Sequence, residues 1–427
     1  MTGEEPSLLI MSGVQGDPRR YRTYHLYEQT RLLGLESQLS HVTDRQYRHK
    51  VVASGIVIIH RASFNSQIAW LEREIHQKNG RLIQDLDDLI FDPAAFKYIS
   101  SADFADPIRT SLYQEEMLLN RKTLDACDIV LTSTEYLAEC VRQLGKPVRV
   151  HRNAFSFEML AISENAYASR KLRPDKIVIG YASGTATHNQ DFALIKPVLH
   201  AILDRHPNVE LWIVGLLDPG NDWGNLNSQI RRLKLVPWRN LPEIQVHFDI
   251  NLAPLCVDNP FGQSKSEIKY MEAALLRIPT VASPSNAFKY AIRNADNGFL
   301  AGDSQEWEQV LEGLIDMQNT RIRVGESAYQ DVMLRYHPSV RARELLGTLN
   351  SLLGESYKFP NIDSTTNLSQ KSMLQSFWSS AELERSPNLI QRGVYTLRYR
   401  NLRTLLQQIW IYIRRLVSPL FPYRINS

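Results

Sequence analysis

The chain has 427 residues, 43% of them hydrophobic and 22% charged, with 49 Lys+Arg against 46 Asp+Glu. At about 150 residues per domain this describes two or three ordinary globular domains and excludes a disordered chain, a fibre or a small stapled scaffold. Three widely spaced cysteines, Cys127, Cys140 and Cys256, exclude a disulfide framework and a thiolate zinc site. The acidic start, Met1 to Pro6, leads into no long apolar run, which argues against a signal peptide, and no run of about eighteen apolar residues marks a membrane span. A reducing cytoplasm is the expected compartment.

Short runs rich in β-branched residues alternate with amphipathic stretches of helical length, the pattern of parallel sheets covered by helices, so the expected class is α/β. Strands are predicted at Leu8–Ser12, Gly55–His60, Arg81–Gln84, Ile129–Thr132 and Val148–His151, with helices such as Tyr21–Leu33 and Ile68–Lys78 between them. The pattern then repeats. Strands at Lys176–Tyr181, Val209–Gly215, Ile250–Leu255, Thr280–Ser283 and Gly298–Ala301 alternate with helices at Phe192–Arg205, Leu226–Leu233, Lys265–Leu276 and Trp307–Asp316. A junction near Ala154–Asp175 divides two α/β domains, 1–165 and 166–353, the second closing on a helix at Val340–Leu353.

Beyond it the chain turns polar, with Pro360 and several Ser, Thr and Asn, and reads as a linker over 354–384. Residues 385–427 carry eight Arg and no Lys, Asp or Glu, so this tail holds +8 of a chain whose total is +3 and leaves −5 for the body. The near-neutral total gives no reason to expect nucleic acid as substrate. A helix is predicted at Val394–Val417, with Leu402, Leu405, Leu406, Ile409, Ile413 and Leu416 as its apolar stripe and most Arg outside it. Two readings stand: a helix lying on an anionic membrane, peripheral to its inner face, or one docked on the chain's own body or a partner.

Two segments carry the chemistry. In the first, Ile177–Asp191, a strand runs into a small-residue loop with Gly180, Ser183, Gly184, Thr185 and Thr187, then His188 and a helix. Small residues let backbone approach a pyrophosphate, and hydroxyls can donate to its oxygens. The loop is neither a Walker loop nor GxGxxG. In the second, Asn259–Ser283, Ser264-x-x-Glu267 has capping-box spacing, which predicts a helix from Lys265 whose N-terminus and Lys265 charge face the carboxyl edge of the sheet. Glu272, two turns on, lies near the same face and is placed to bind ribose hydroxyls. Without a ligand, the same pattern is an amphipathic capped helix with Glu272 in solvent.

In this order and spacing the two segments resemble the donor half of group 1 glycosyltransferases of GT-B architecture, family 4-like and bacterial. The likeness extends from about Leu8 to Leu353 through His60-Arg61-Ala62, Gln84–Asp92, Ala126–Leu137, Arg152-Asn153, Leu211–Gly215, Asp249–Leu255 and Ile278–Ser283. It implies two Rossmann-like domains facing across a cleft, with the C-terminal helical extension outside the resemblance. It implies a hexosyltransferase taking a nucleoside diphosphate sugar as donor, no cofactor and no metal, retention of configuration, and a glycan, lipid-linked or protein acceptor.

Carried over, Glu272 matches the second glutamate of the family's E-x7-E motif and Ser264 stands where the first would be. The basic pair that usually grips the diphosphate is absent, which leaves Thr185, His188, Lys265 and Ser266 around Gly184 as donor-side candidates. The glycine that usually precedes the Ile-Pro turn is Arg277. On the acceptor side His60, Arg61, Asp85, Asp87 and Asp88 are expected to line the cleft, with His60 and Lys265 as catalytic candidates. Asp85-x-Asp87-Asp88 also has the form of a metal-binding DxD, and as plain structure it is a turn and helix cap. The same architecture leaves two alternatives open, a sugar-nucleotide epimerase and a catalytically silent carbohydrate-binding or assembly module.

Overall fold

The computed structural model describes residues 7–99, 106–171, 173, 175–185, 188–353, 357, 359 and 387–417, and side chains only to residue 414 in the last segment. Thr187, nearly all of the 354–384 stretch, Arg385, Leu416 as a side chain and Arg424 lie outside the described residues.

Twelve strands form two parallel sheets. β1 (Leu8–Ser12), β2 (Ser37–His41), β3 (Ile56–His60), β4 (Arg81–Leu86), β5 (Ile129–Thr132) and β6 (Val148–Val150) lie in the order β2-β1-β3-β4-β5-β6. β7 (Ile177–Ser183), β8 (Val209–Gly215), β9 (Ile230–Leu233), β10 (Ile250–Ala253), β11 (Thr280–Ala282) and β12 (Phe299–Leu300) lie in the order β12-β11-β10-β7-β8-β9. β1 and β4 are almost wholly buried, as expected of strands covered on both faces. Side-chain caps start the covering helices: Asn65 accepts from Gln67 and Ile68, Thr134 from Leu137, Ser156 from Met159 and Asp303 from Glu306.

In each sheet the crossovers run outward in both directions from a central pair, β1 and β3 in the first and β7 and β10 in the second. Loops that leave such a pair diverge and open a crevice at the carboxyl edge. The register sets Ser12 beside His60 and His60 beside Asp85 in the first sheet, and Ser183 beside Gly215 in the second.

Several elements differ from expectation, among them β2, which was not predicted. The stretch Leu226–Leu233 is a 3-10 turn (Gly224–Gln229) followed by β9, because the free edge of β8 offers backbone partners to an Ile-Arg-Arg-Leu run whose apolar spacing also suits a helix. No helix begins at Lys265. Asn259 caps a short helix, Pro260–Ser264, Lys265 is extended, and a second short helix covers Ile268–Ala274. Val394–Val417 is two packed helices, Leu389–Tyr399 and Leu402–Val417, interrupted at Arg400 and with Asn401 accepting from Thr404. Pro338–Leu353 returns to the first sheet, where Ala342, Leu345 and Leu349 pack with Leu8, Ile10 and Ile56, so the chain ties its two halves together twice.

Candidate functional site

The carboxyl edges of the two sheets face one cleft of about 400 Å³. On the first-domain side, Gly13 crosses the end of β3, its N–H donating to the His60 carbonyl at 2.9 Å. A Cβ at Gly13 would lie 2.3 Å from the Arg61 carbonyl oxygen, so only glycine fits. Arg61 takes φ 45, an uncommon conformation for a non-glycine residue, and its guanidinium pairs with Asp87 Oδ1 at 2.5 Å and Asp88 Oδ2 at 3.4 Å. Arg61, Asp87 and Asp88 all line the cleft, with Tyr113 beside them. Burial pushes the Asp87 carboxyl up, but Arg61, His60 and Arg22 together outweigh it and hold the group below the usual carboxylate range.

His60 and Asp85 are corrections. Neither lines the cleft, and both are 0% exposed. His60 is the last residue of β3 and Asp85 the last but one of β4, both inside the sheet, and the loop residues beyond the two strands reach the opening. Asp85 is the buried partner of Arg22, which donates from Nε at 2.9 Å and from a terminal nitrogen at 2.5 Å and also reaches the His151 carbonyl at 2.8 Å. Burial lowers the pKa of His60, whose Nδ1 lies 3.2 Å from the Asp85 carbonyl.

The second-domain side is built at the β7/β10 pair. Ser183 Oγ donates to the Thr185 carbonyl at 2.7 Å and shapes the turn that presents Gly184 and Thr185. Gly215, at φ +105, lets β8 end against this turn, since a Cβ there would sit 2.0 Å from the Ser183 carbonyl oxygen. His188 precedes the helix Asn189–Arg205 and pairs through Nδ1 with Asp191 Oδ2 at 2.7 Å, and burial lowers its pKa. The positive end of that 17-residue helix lies beside the cleft.

Lys265, Ser266 and Glu272 line the same cleft as Gly184, Thr185 and His188. Lys265 donates to Asp88 Oδ2 at 2.8 Å, and Ser266 accepts from Asn153 at 3.0 Å. Ser264 is a further correction, fully buried away from the cleft, with Oγ 2.7 Å from the Phe261 carbonyl and 3.2 Å from Asp88 Oδ1. The capping box fails because Glu267 is committed elsewhere, to Arg152 at 3.5 Å and the Tyr336 hydroxyl at 2.9 Å. Glu272 accepts from the Tyr21 hydroxyl at 2.6 Å with Arg20 at 3.7 Å, and burial raises its pKa against the pull of Arg20.

Sequence reasoning missed Lys269, Arg20, Tyr21 and Trp238 as cleft residues. Lys269 was legible: it lies one helical turn before Glu272 and four residues after Lys265. Its ammonium donates to the Ala182 carbonyl at 2.5 Å and lies 4.9 Å from the Tyr181 ring, and burial lowers its pKa. Arg20, Tyr21 and Trp238 left no such signal, because they reach the cleft only through the packing of distant segments.

Two Rossmann-like domains meeting edge to edge across a cleft define the GT-B architecture. HepE of Anabaena, in a crystal structure with UDP, is similar at 14% identity and TM-score 0.55 over 81% of this chain and 100% of its own. Sucrose-phosphate synthase of Thermosynechococcus elongatus is similar at 13% identity and TM-score 0.57 over 81% of this chain and 99% of its own, and a Rickettsia africae glycosyltransferase at 11% and 0.56 over 82% and 99%. No curated protein matches the sequence. Residues 176–317 match the family described as glycosyl transferases group 1. That match lies within the second domain, which is therefore similar to group 1 glycosyltransferases.

Proposed function

We propose that the protein transfers a hexosyl group from a nucleoside diphosphate sugar, seated on the second domain, to a glycan, lipid-linked or protein acceptor facing the first. The observation that carries this reading is one cleft shared by the Gly184–Thr185 turn, the Lys265 and Lys269 ammoniums and the Glu272 carboxylate. In it the diphosphate lies against the turn and the two lysines, and the ribose hydroxyls replace Tyr21 at Glu272. As the glycosidic bond to the diphosphate breaks, negative charge grows on the leaving oxygens. Fixed ammoniums and the helix end at His188 stabilise that charge more in the transition state than in the ground state.

A dedicated metal has no role in this scheme. Asp87 and Asp88, the carboxylates with DxD form that reach the cleft, are already matched by Arg61 and Lys265. The proposed outcome is retention, with Arg61, Asp87 and Asp88 orienting the acceptor. Calorimetry with nucleoside diphosphates tests the donor seat: Lys265→Ala and Glu272→Ala should each weaken binding, and unchanged affinity in both removes the assignment. Product analysis with donor sugar alone separates transfer from epimerisation, since an epimerised sugar nucleotide in the absence of acceptor overturns the reading.

A further inference from the structure

The helices Leu389–Tyr399 and Leu402–Val417 attach to the first domain by their polar side. Tyr395 Oη accepts from Asn65 at 2.8 Å, Arg400 pairs with Glu116 at 3.0 Å, and Arg414 lies 3.4 Å from Asp106. That attachment leaves the apolar side outward. Ile390 and Leu397 are 75% and 53% exposed, and Leu402, Leu406, Ile409 and Ile413, spaced three or four apart, are 58%, 57%, 44% and 51% exposed. Water is a poor neighbour for so large a stripe, which marks a binding surface.

Charge selects the occupant. Residues 387–417 contain six Arg and no Lys, Asp or Glu. Arg392, Arg398 and Arg403 are exposed and make no ion pair among the described residues. A second copy of the chain would set arginine against arginine across a two-fold interface. No helix among the described residues is long and apolar enough to cross a membrane, so these two can lie on a bilayer but not span it. An amphipathic face with an arginine border and no acid matches a bilayer surface that offers acyl chains below and phosphates above.

We propose that this helix pair docks the protein on anionic membranes, with its apolar stripe in the headgroup boundary and Arg392, Arg398 and Arg403 on lipid phosphates. The inference uses no feature of the cleft, so it stands or falls apart from sugar transfer. The helix Pro107–Ala126 carries both Glu116, which holds Arg400, and Tyr113, which lines the cleft, so docking brings the first-domain wall of the cleft near the lipid.

Flotation of the full chain tests it, with vesicles of phosphatidylcholine alone and of phosphatidylcholine with phosphatidylglycerol, at about 0.15 M salt. The wild type should float with the anionic vesicles and stay down with the neutral ones. Leu406→Glu with Ile413→Glu, and separately Arg392→Glu with Arg403→Glu, should each lower binding on the order of tenfold or more without shifting the melting curve. Absence of wild-type flotation, or equal flotation of wild type and both variants, overturns the proposal. So does a lipid-free dimer, by light scattering, that the same substitutions dissolve.

Discussion

Arg20, Arg61 and Lys265 each meet a carboxylate at the cleft, whereas Lys269 donates to the Ala182 carbonyl, lies by the Tyr181 ring and makes no ion pair among the described residues. A half-buried ammonium that lies near Glu272 and Asp191 without pairing with either is available to an anion, and charged hydrogen bonds contribute about 1.5–3 kcal/mol. Lys269→Met, close in length but uncharged, should weaken nucleoside diphosphate binding on the order of ten- to a hundredfold in calorimetry. Asp85 should behave in the opposite way. Its removal strands Arg22, which is 2% exposed, so Asp85→Ala should cost about 3–5 kcal/mol in urea unfolding while the folded fraction keeps its nucleotide affinity. The run Asp85-x-Asp87-Asp88 shows what residue types can and cannot reveal. The carboxylates are visible in the sequence, but their division into a buried strut and two cleft residues follows from where β4 ends.

Arg277 shows how an element absorbs a residue that its backbone does not favour. It takes φ 55 just after the Ile268–Ala274 helix, where a glycine would be unstrained. Its guanidinium lies 4.1 Å from the Tyr167 ring and 3.9 Å from the Tyr329 ring and pairs with Glu164 at 3.3 Å and Glu326 at 3.2 Å, which offsets the strain. The helix Gln318–Arg335 approaches this turn through Gly325, where a Cβ would lie 2.0 Å from the Arg277 carbonyl oxygen. Alanine inside a helix is normally favoured over glycine by about 1 kcal/mol. Gly325→Ala should reverse that sign and lower the melting temperature, because backbone cannot move aside as a flexible side chain can. The elements with strong period, such as β1, β3 and the helix Asn189–Arg205, were legible. Leu226–Leu233 was not, since four residues fit either period and the neighbouring strand edge decides.

At the scale of the whole molecule, the helix His25–Leu32 meets the chain that leads from the first domain to the second. His25 Nδ1 donates to the Ala154 carbonyl at 2.8 Å, and Glu28 accepts from the Phe157 N–H at 3.0 Å. Burial pulls His25 down to about 3 and pushes Glu28 up to about 8. The signs follow by linkage. His25 stays neutral when folded, so its contribution is lost as pH falls from about 6.5 towards 3. Glu28 stays protonated when folded, so its contribution is lost as pH rises from about 4.5 to 8. Glu28→Gln keeps an acceptor for Phe157 and removes the ionisation. It should raise stability at pH 8 by a few kcal/mol, on the order of one per pH unit of the shift, and have little effect near pH 4, read by urea unfolding at both pH values.

Local composition and period were enough to determine the α/β class, most strands of the two repeated sets and the basic acid-free tail, because each follows from neighbours along the chain. Tertiary structure alone decided that Ser264, His60 and Asp85 are buried, that Tyr21 and Arg20 face Glu272, that Pro338–Leu353 crosses back to the first sheet and that the tail turns its apolar side outward. These outcomes depend on which surfaces distant segments bury against one another. Side-chain periodicity identifies an apolar face without naming what covers it.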